Sequence, residues 1–162
     1  MVVASISVTM RGPGWIRRFV RLDAGRRALL VEAAAWLLVA RVALVLVPFP
    51  RLARRFGTFA PPTDSRVRDA RLPAASGPSC LAEQIGWAVT RAAPHVPFRA
   101  ACLAQAMAAR IMLRRRGVAS VLHVGAASAQ DPSETHAWLD AAGVEVTGYP
   151  AANDAVEIAC FV

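Results

Sequence analysis

Hydrophobic positions follow two different periods along this chain. From Ala28 to Phe49 almost every position is apolar, interrupted by Glu32 and Arg41, until Pro48 and Pro50 end the run. Such a pattern predicts a helix that is apolar on more than one face. Residues 57–79 lose that character. Gly57, Pro61, Pro62, Pro73, Gly77 and Pro78 stand there among Ser, Thr and Asp, the composition of a linker or a surface loop. A helix then starts near Ser79, a suitable N-cap, and runs to about Ala92. Pro94 and Pro97 break the chain again, and another apolar helix opens at Cys102 and stops at Gly117. From Ala119 onward the pattern turns β-rich, with strands predicted over 119–125, 135–140, 144–148 and 156–161. Helices first and antiparallel strands afterwards predict an α+β domain. Residues 1–56 form an apolar helical region packed on the core or on a partner, 57–79 the loop, and 80–162 the core of one compact domain.

Composition narrows the class. A chain of 162 residues suits one domain, and 56% hydrophobic residues with a mean hydropathy of +0.39 argue against disorder. Its three cysteines, odd in number and at unrelated spacings, make neither a disulfide framework nor a zinc motif, and read as reduced and cytoplasmic. The net charge of +8 comes from arginine alone, since the sequence has no lysine. Those arginines are scattered with little aromatic interleaving, which argues against nucleic acid. Residues 28–49 approach the roughly 20 apolar residues that a bilayer requires. Glu32 and Arg41 would be costly at that depth, however, and arginines flank both ends without asymmetry. Packing on the domain or on a partner protein is the expectation, rather than a membrane span.

The chemistry centres on Cys102. A helix N-terminus presents unpaired N–H groups and partial positive charge, which favour a thiolate. His136 follows 34 residues later on a predicted strand, where it could hold that thiolate as an imidazolium and protonate a leaving amine. Cys80 is a rival, because it too lies just inside a predicted helix start and is followed by Leu-Ala. Cys160 ends the last strand and reads as core. His123, on the preceding strand, and His95, in the Pro94–Pro97 loop, compete for the role of base.

A third group should orient the imidazole. Asp140 shares a strand face with His136 and Trp138, but four strand residues place it roughly 13 Å away. If Ala141-Ala142-Gly143 is a three-residue hairpin loop, His136 faces Gly148, which has no side chain. Asn153 and Asp154 reach back only if the Tyr149-Pro150 turn folds over.

Several segments together resemble the leader peptidase of lasso-peptide biosynthesis, the B protein of those clusters, within the transglutaminase-like superfamily. They are Pro97-Phe98-Arg99, Cys102-Leu103, Met112 to Gly117, Val121 to Gly125, and His136-Ala137-Trp138-Leu139 with Gly143 beyond. The resemblance covers roughly residues 80–150. It implies a papain/transglutaminase-like cysteine protease core with a Cys-His-Asp type triad, needing no cofactor and no metal. Its task would be to remove the leader of a ribosomally made precursor peptide before an ATP-dependent macrocyclase closes the ring. Carried over, Cys102 is the nucleophile and His136 the base. The family's acid falls at or near Gly148, leaving Asp154 as the reserve. The resemblance favours the split form, which works with a separate leader-recognition protein, docked through the 28–49 helix or the arginines at 114–116. Two alternatives follow from the residues themselves: a non-catalytic scaffold, motivated by Gly148, and a membrane-associated arginine-rich binding protein, motivated by residues 28–49 and the charge.

Overall fold

The computed structural model describes residues 19–74, 76–126, 135–149 and 156–162. The elements in chain order are α1 (Ala24–Leu46), α2 (Phe49–Ala53), β1 (Phe59–Ala60), α3 (Ser65–Arg71) and α4 (Ser76–Ala92). A 3-10 turn (Ala93–His95), α5 (Cys102–Arg114), β2 (Val121–Ala126), β3 (Thr135–Ala141), β4 (Val144–Thr147) and β5 (Val156–Phe161) follow. The fold is α+β, as expected, with a helical N-terminal region and an antiparallel sheet.

The Asp23 carboxylate accepts the Arg26 N–H at 2.9 Å and caps α1. The helix ends at Leu46, just before Pro48, in keeping with the disfavoured α conformation ahead of a proline. Its inner face presents Ala33, Leu37 and Ala40, all fully buried against α4 and α5. Small residues at two of these positions let the helices approach closely. Glu32 is turned to the same side, where the Arg116 guanidinium donates to both its oxygens at 2.6 and 3.1 Å. The neighbouring Arg115 guanidinium lies 5.6 Å from the Trp36 ring centre. The two charged or polar contacts thus clamp α1 to the end of α5.

The sheet has five strands in the order β1-β5-β2-β3-β4, with every neighbouring pair antiparallel. Strand alternation sends Leu122, Ala137, Leu139 and Phe161 toward α5 and α4, where they join Ala108, Ala109 and Met112 in the main core. Arg110 of α5 ties the end of β5 to the start of β2 by donating to the carbonyls of Phe161 at 2.7 Å and Ser120 at 3.2 Å. Burial pulls its pKa down to about 10. The opposite sheet face is covered in part by α3, whose Val67 packs with Ala60, Val121 and Cys160 in a second, smaller cluster.

Three local expectations change. The segment expected as a loop carries β1, which pairs with β5, and α3, which packs against β3. Helix α4 starts at Ser76 rather than near Ser79. Pro78 is tolerated there because first-turn N–H groups have no intrahelical partner to lose, and Ser79 instead donates its hydroxyl to the Ala142 carbonyl at 2.8 Å. The hairpin loop is two residues, not three: Ala141 pairs with Val144, and Ala142 and Gly143 take φ of 53° and 78°. Positive φ at both central residues matches the right-handed strand twist. With the register shift between Leu139 and Asp140, Leu139 pairs with Thr147, so the strands bring Trp138 rather than His136 level with Gly148.

Candidate active site

Cys102 is the first residue of α5, half-buried against the main core. The preceding N-cap, Ala101, has no side-chain acceptor, so the N–H groups of the first turn keep their capacity to bind an anion. Gln105 stiffens this turn from below, donating its amide to the Ala100 carbonyl at 2.8 Å. The arrangement can stabilise a thiolate, and then an oxyanion, with backbone donors alone.

His136 is the second residue of β3, partly exposed, and its Nε2 lies 2.7 Å from the Gly148 carbonyl oxygen. A carbonyl only accepts, so Nε2 carries the proton and Nδ1 is left as the basic nitrogen. The Trp138 ring stacks beside it at 5.8 Å. Gly148 has φ 84°, and a Cβ there would lie 2.4 Å from the Ala137 carbonyl oxygen and 2.8 Å from the Trp138 Cα. Position 148 therefore presents its carbonyl because β3 leaves no room for a side chain.

No hydrogen bond joins Cys102 to His136 among the described residues. The alternation of β3 explains why: α5 packs on the Ala137 and Leu139 face, while His136 shares the other face with Trp138 and Asp140. A groove of about 350 Å³ between α4 and β4 reaches Gly148, lined also by Trp87, Thr90, Val144 and Tyr149. Neither Cys102 nor His136 lines it.

The other sequence candidates separate clearly. Cys80 is the fifth residue of α4, exposed, and accepts from Gln84 Nε2 at 3.1 Å, so it lacks the helix-terminal setting expected of it. His95 is exposed at the end of the 3-10 turn. Asn153 and Asp154 lie outside the described residues.

On the face opposite α5, a buried polar network surrounds His123, which is itself fully buried. Its Nδ1 contacts Glu157 Oε1, and its Nε2 lies 3.1 Å from Asp140 Oδ2, off the line of the ring N–H. Cys160 donates its thiol to Glu157 Oε1 at 2.7 Å. Asp140 also accepts from Arg71 Nε at 3.0 Å and from the Tyr149 hydroxyl. The Trp138 ring stacks on His123 at 5.4 Å, nearly parallel. Burial alone would push the His123 pKa down, but hydrogen bonds and charge from Asp140 and Glu157 outweigh it and raise the pKa. Burial works against the Asp140 and Glu157 carboxylates, yet contacts with His123 above all hold both below their usual values. Burial and the Glu157 carboxylate push the Cys160 thiol up to about 12, which removes it as a nucleophile.

Cys160 is core, as its place in the last strand suggests, but the sequence pattern does not reveal Glu157, Arg71 and Tyr149 as members of this network. Glu157 and Cys160 are three apart, a spacing that in a regular strand puts side chains on opposite faces. A register shift in the β2–β5 pairing between Val124 and Gly125 brings both to one face.

With this geometry in place, the comparisons are brief. A family model described as the transglutaminase-like superfamily matches residues 43–159. No curated protein and no solved structure matches the chain.

Proposed function

We propose, from the premise that this chain belongs to the transglutaminase-like superfamily, that it is a cysteine peptidase acting on the leader of a ribosomally made lasso-peptide precursor. Cys102 is the nucleophile in this reading and His136 the base. The observation that carries it is the 2.7 Å contact from His136 Nε2 to the Gly148 carbonyl. It fixes the tautomer in which Nδ1 can take the thiol proton, the task that an acid or amide side chain performs in other triads. A carbonyl dipole supports the resulting imidazolium less than a carboxylate would. Cleavage breaks one leader–core amide. The Cys102 sulfur adds to the carbonyl carbon, α5 N–H groups hold the oxyanion, and the His136 proton leaves with the amine. Water then hydrolyses the thioester.

The outer face of α1 suits a separate leader-recognition protein, or the macrocyclase, as its partner. Val31, Leu38, Val42 and Val45 form an exposed apolar stripe there, spaced as successive turns of one helix face. The helix also has the length and composition of a membrane span. The Glu32–Arg116 clamp and its packing on α4 and α5 favour a helix seated on its own domain with its outer face toward a partner.

The test is cleavage of the precursor peptide followed by mass spectrometry, with and without the recognition protein. Loss of a single leader-sized cut in Cys102→Ala and in His136→Ala, with Cys80→Ala unchanged, is the expected result. The absence of a hydrogen bond between Cys102 and His136 favours a second reading, a non-catalytic scaffold of the maturation complex. Failure of the wild type to cleave with its partner bound would establish that reading instead.

A further inference from the structure

The network on the far sheet face contains more metal-binding capacity than a peptidase of this kind uses. His123 Nδ1, Glu157 Oε1 and Cys160 Sγ all lie within 4.8 Å of one another, the sulfur 3.7 Å from the ring nitrogen. They come from two paired strands, in register at His123 and Cys160, and the β2–β5 bulge brings Glu157 round to the same point. His123 and Cys160 are fully buried, and the Glu157 side chain is 17% exposed. Buried groups of this type satisfy one another poorly. Glu157 Oε1 is the acceptor for both the imidazole and the thiol.

We propose that His123, Glu157 and Cys160 form a zinc-binding site, with Asp140 as the carboxylate beside the far nitrogen of the His123 ring. An imidazole nitrogen, a thiolate and one carboxylate oxygen form a mixed donor set suited to tetrahedral Zn²⁺, with water in the fourth position. The far side of the ring supports the assignment. A metal-bound imidazole usually directs its other nitrogen to a carboxylate. Here that carboxylate is Asp140, 3.1 Å from Nε2 and itself held by Arg71 and Tyr149.

Zn²⁺ binds such ligands deprotonated, so loading the site would release the Cys160 thiol proton to solvent. Cysteine spacing along the chain could not reveal such a site, because its ligands meet only through strand pairing.

The test uses the full chain, reduced and purified without a polyhistidine tag, then loaded with Zn²⁺ or Co²⁺ and dialysed. Wild type, Cys80→Ser and Cys102→Ser are expected to retain one equivalent of Zn²⁺, and the cobalt form to show thiolate-to-metal absorption in the near ultraviolet. Cys160→Ser should lose that absorption, and Glu157→Gln should bind about tenfold or more weakly. A folded wild type that retains no stoichiometric metal would overturn the proposal. So would absorption that survives in Cys160→Ser but disappears in Cys80→Ser or Cys102→Ser. Should Cys160→Ser fail to fold, Glu157→Gln decides, since unchanged affinity there removes the site.

Discussion

His136 Nε2 and the Gly148 carbonyl oxygen stand 2.7 Å apart, so the imidazole is oriented by backbone where a peptidase triad uses a side chain. This contact depends on a glycine. At φ 84° an L-residue is strained, and a Cβ would press within 2.4 Å of the Ala137 carbonyl. Gly148→Ala is expected to lose at least about 1–2 kcal/mol from the backbone conformation alone, read as a lower urea midpoint. Gly148→Asp should not restore a stronger triad, because the chain must first move away from β3 to admit the new side chain. Cleavage faster than wild type in Gly148→Asp would show that His136 is oriented in some other way.

The His123 network makes stability depend on pH in a stated direction. His123 is held above the ordinary imidazole value of about 6.5, so its contribution is complete below that pH and is lost as pH rises through the higher folded value. Asp140 and Glu157 are held below 3.8 and 4.5, so theirs are complete above those values and are lost as pH falls through the lower folded ones. With chelator present, the urea midpoint of the wild type should therefore be highest between about pH 4.5 and 6.5. It should decline on the alkaline side, and His123→Gln should remove the part of that decline below about pH 8, above which ionisation of the Cys160 thiol in the unfolded chain adds its own. Arg71 and Tyr149, which also face Asp140, stay in one charge state across this range. A flat profile between pH 6 and 9 in the wild type would remove His123 as the group responsible.

Much of this fold was legible because each segment had one dominant period. The strands over 135–141 and 156–161 and the helix opening at Cys102 follow from local pattern and from breakers at Pro97 and Gly117. What was not legible depends on pairing. A two-residue turn at Ala142-Gly143 shifts the register of β4 by one position, and a bulge beside Gly125 turns Glu157 toward His123. Neither leaves a mark in a single strand's alternation. The same limit applies to Cys102 and His136. Sequence places them on a helix start and a strand, but only the layer order reveals that α5 covers the face His136 turns away from.

Arg116 is a structural residue as well as a surface charge. Its guanidinium donates to both Glu32 oxygens and to the Met112 carbonyl, and both partners of the pair are about a quarter exposed. Solvent weakens such a pair, so Glu32→Gln should cost about 0.5–1 kcal/mol, or a few degrees of melting temperature, with the gap narrowing in high salt. Arg116→Glu should cost more, because it sets two carboxylates face to face. Arg114→Glu, with no ion pair among the described residues, should leave the melting temperature within a degree or so of wild type. Docking through this arginine cluster is thus best tested at Arg114.

The outer face of α1 separates stability from association. Val31, Leu38, Val42 and Val45 are 61%, 49%, 45% and 65% exposed, so replacing them with glutamine removes little buried area. Leu37 is fully buried one position before Leu38, on the face against α4 and α5. Leu37→Ala should therefore cost about 2–5 kcal/mol, while Val31→Gln, Leu38→Gln, Val42→Gln and Val45→Gln combined should keep the wild-type urea midpoint. If the stripe holds the recognition protein, the fourfold variant should lose co-elution with it and lose partner-dependent cleavage. Its metal content and its own folding should stay intact. A variant that still co-elutes, but no longer partitions onto lipid vesicles, would assign the stripe to a membrane surface instead. The contrast works because α1 is apolar on both sides and, among the described residues, only one side is covered by the fold.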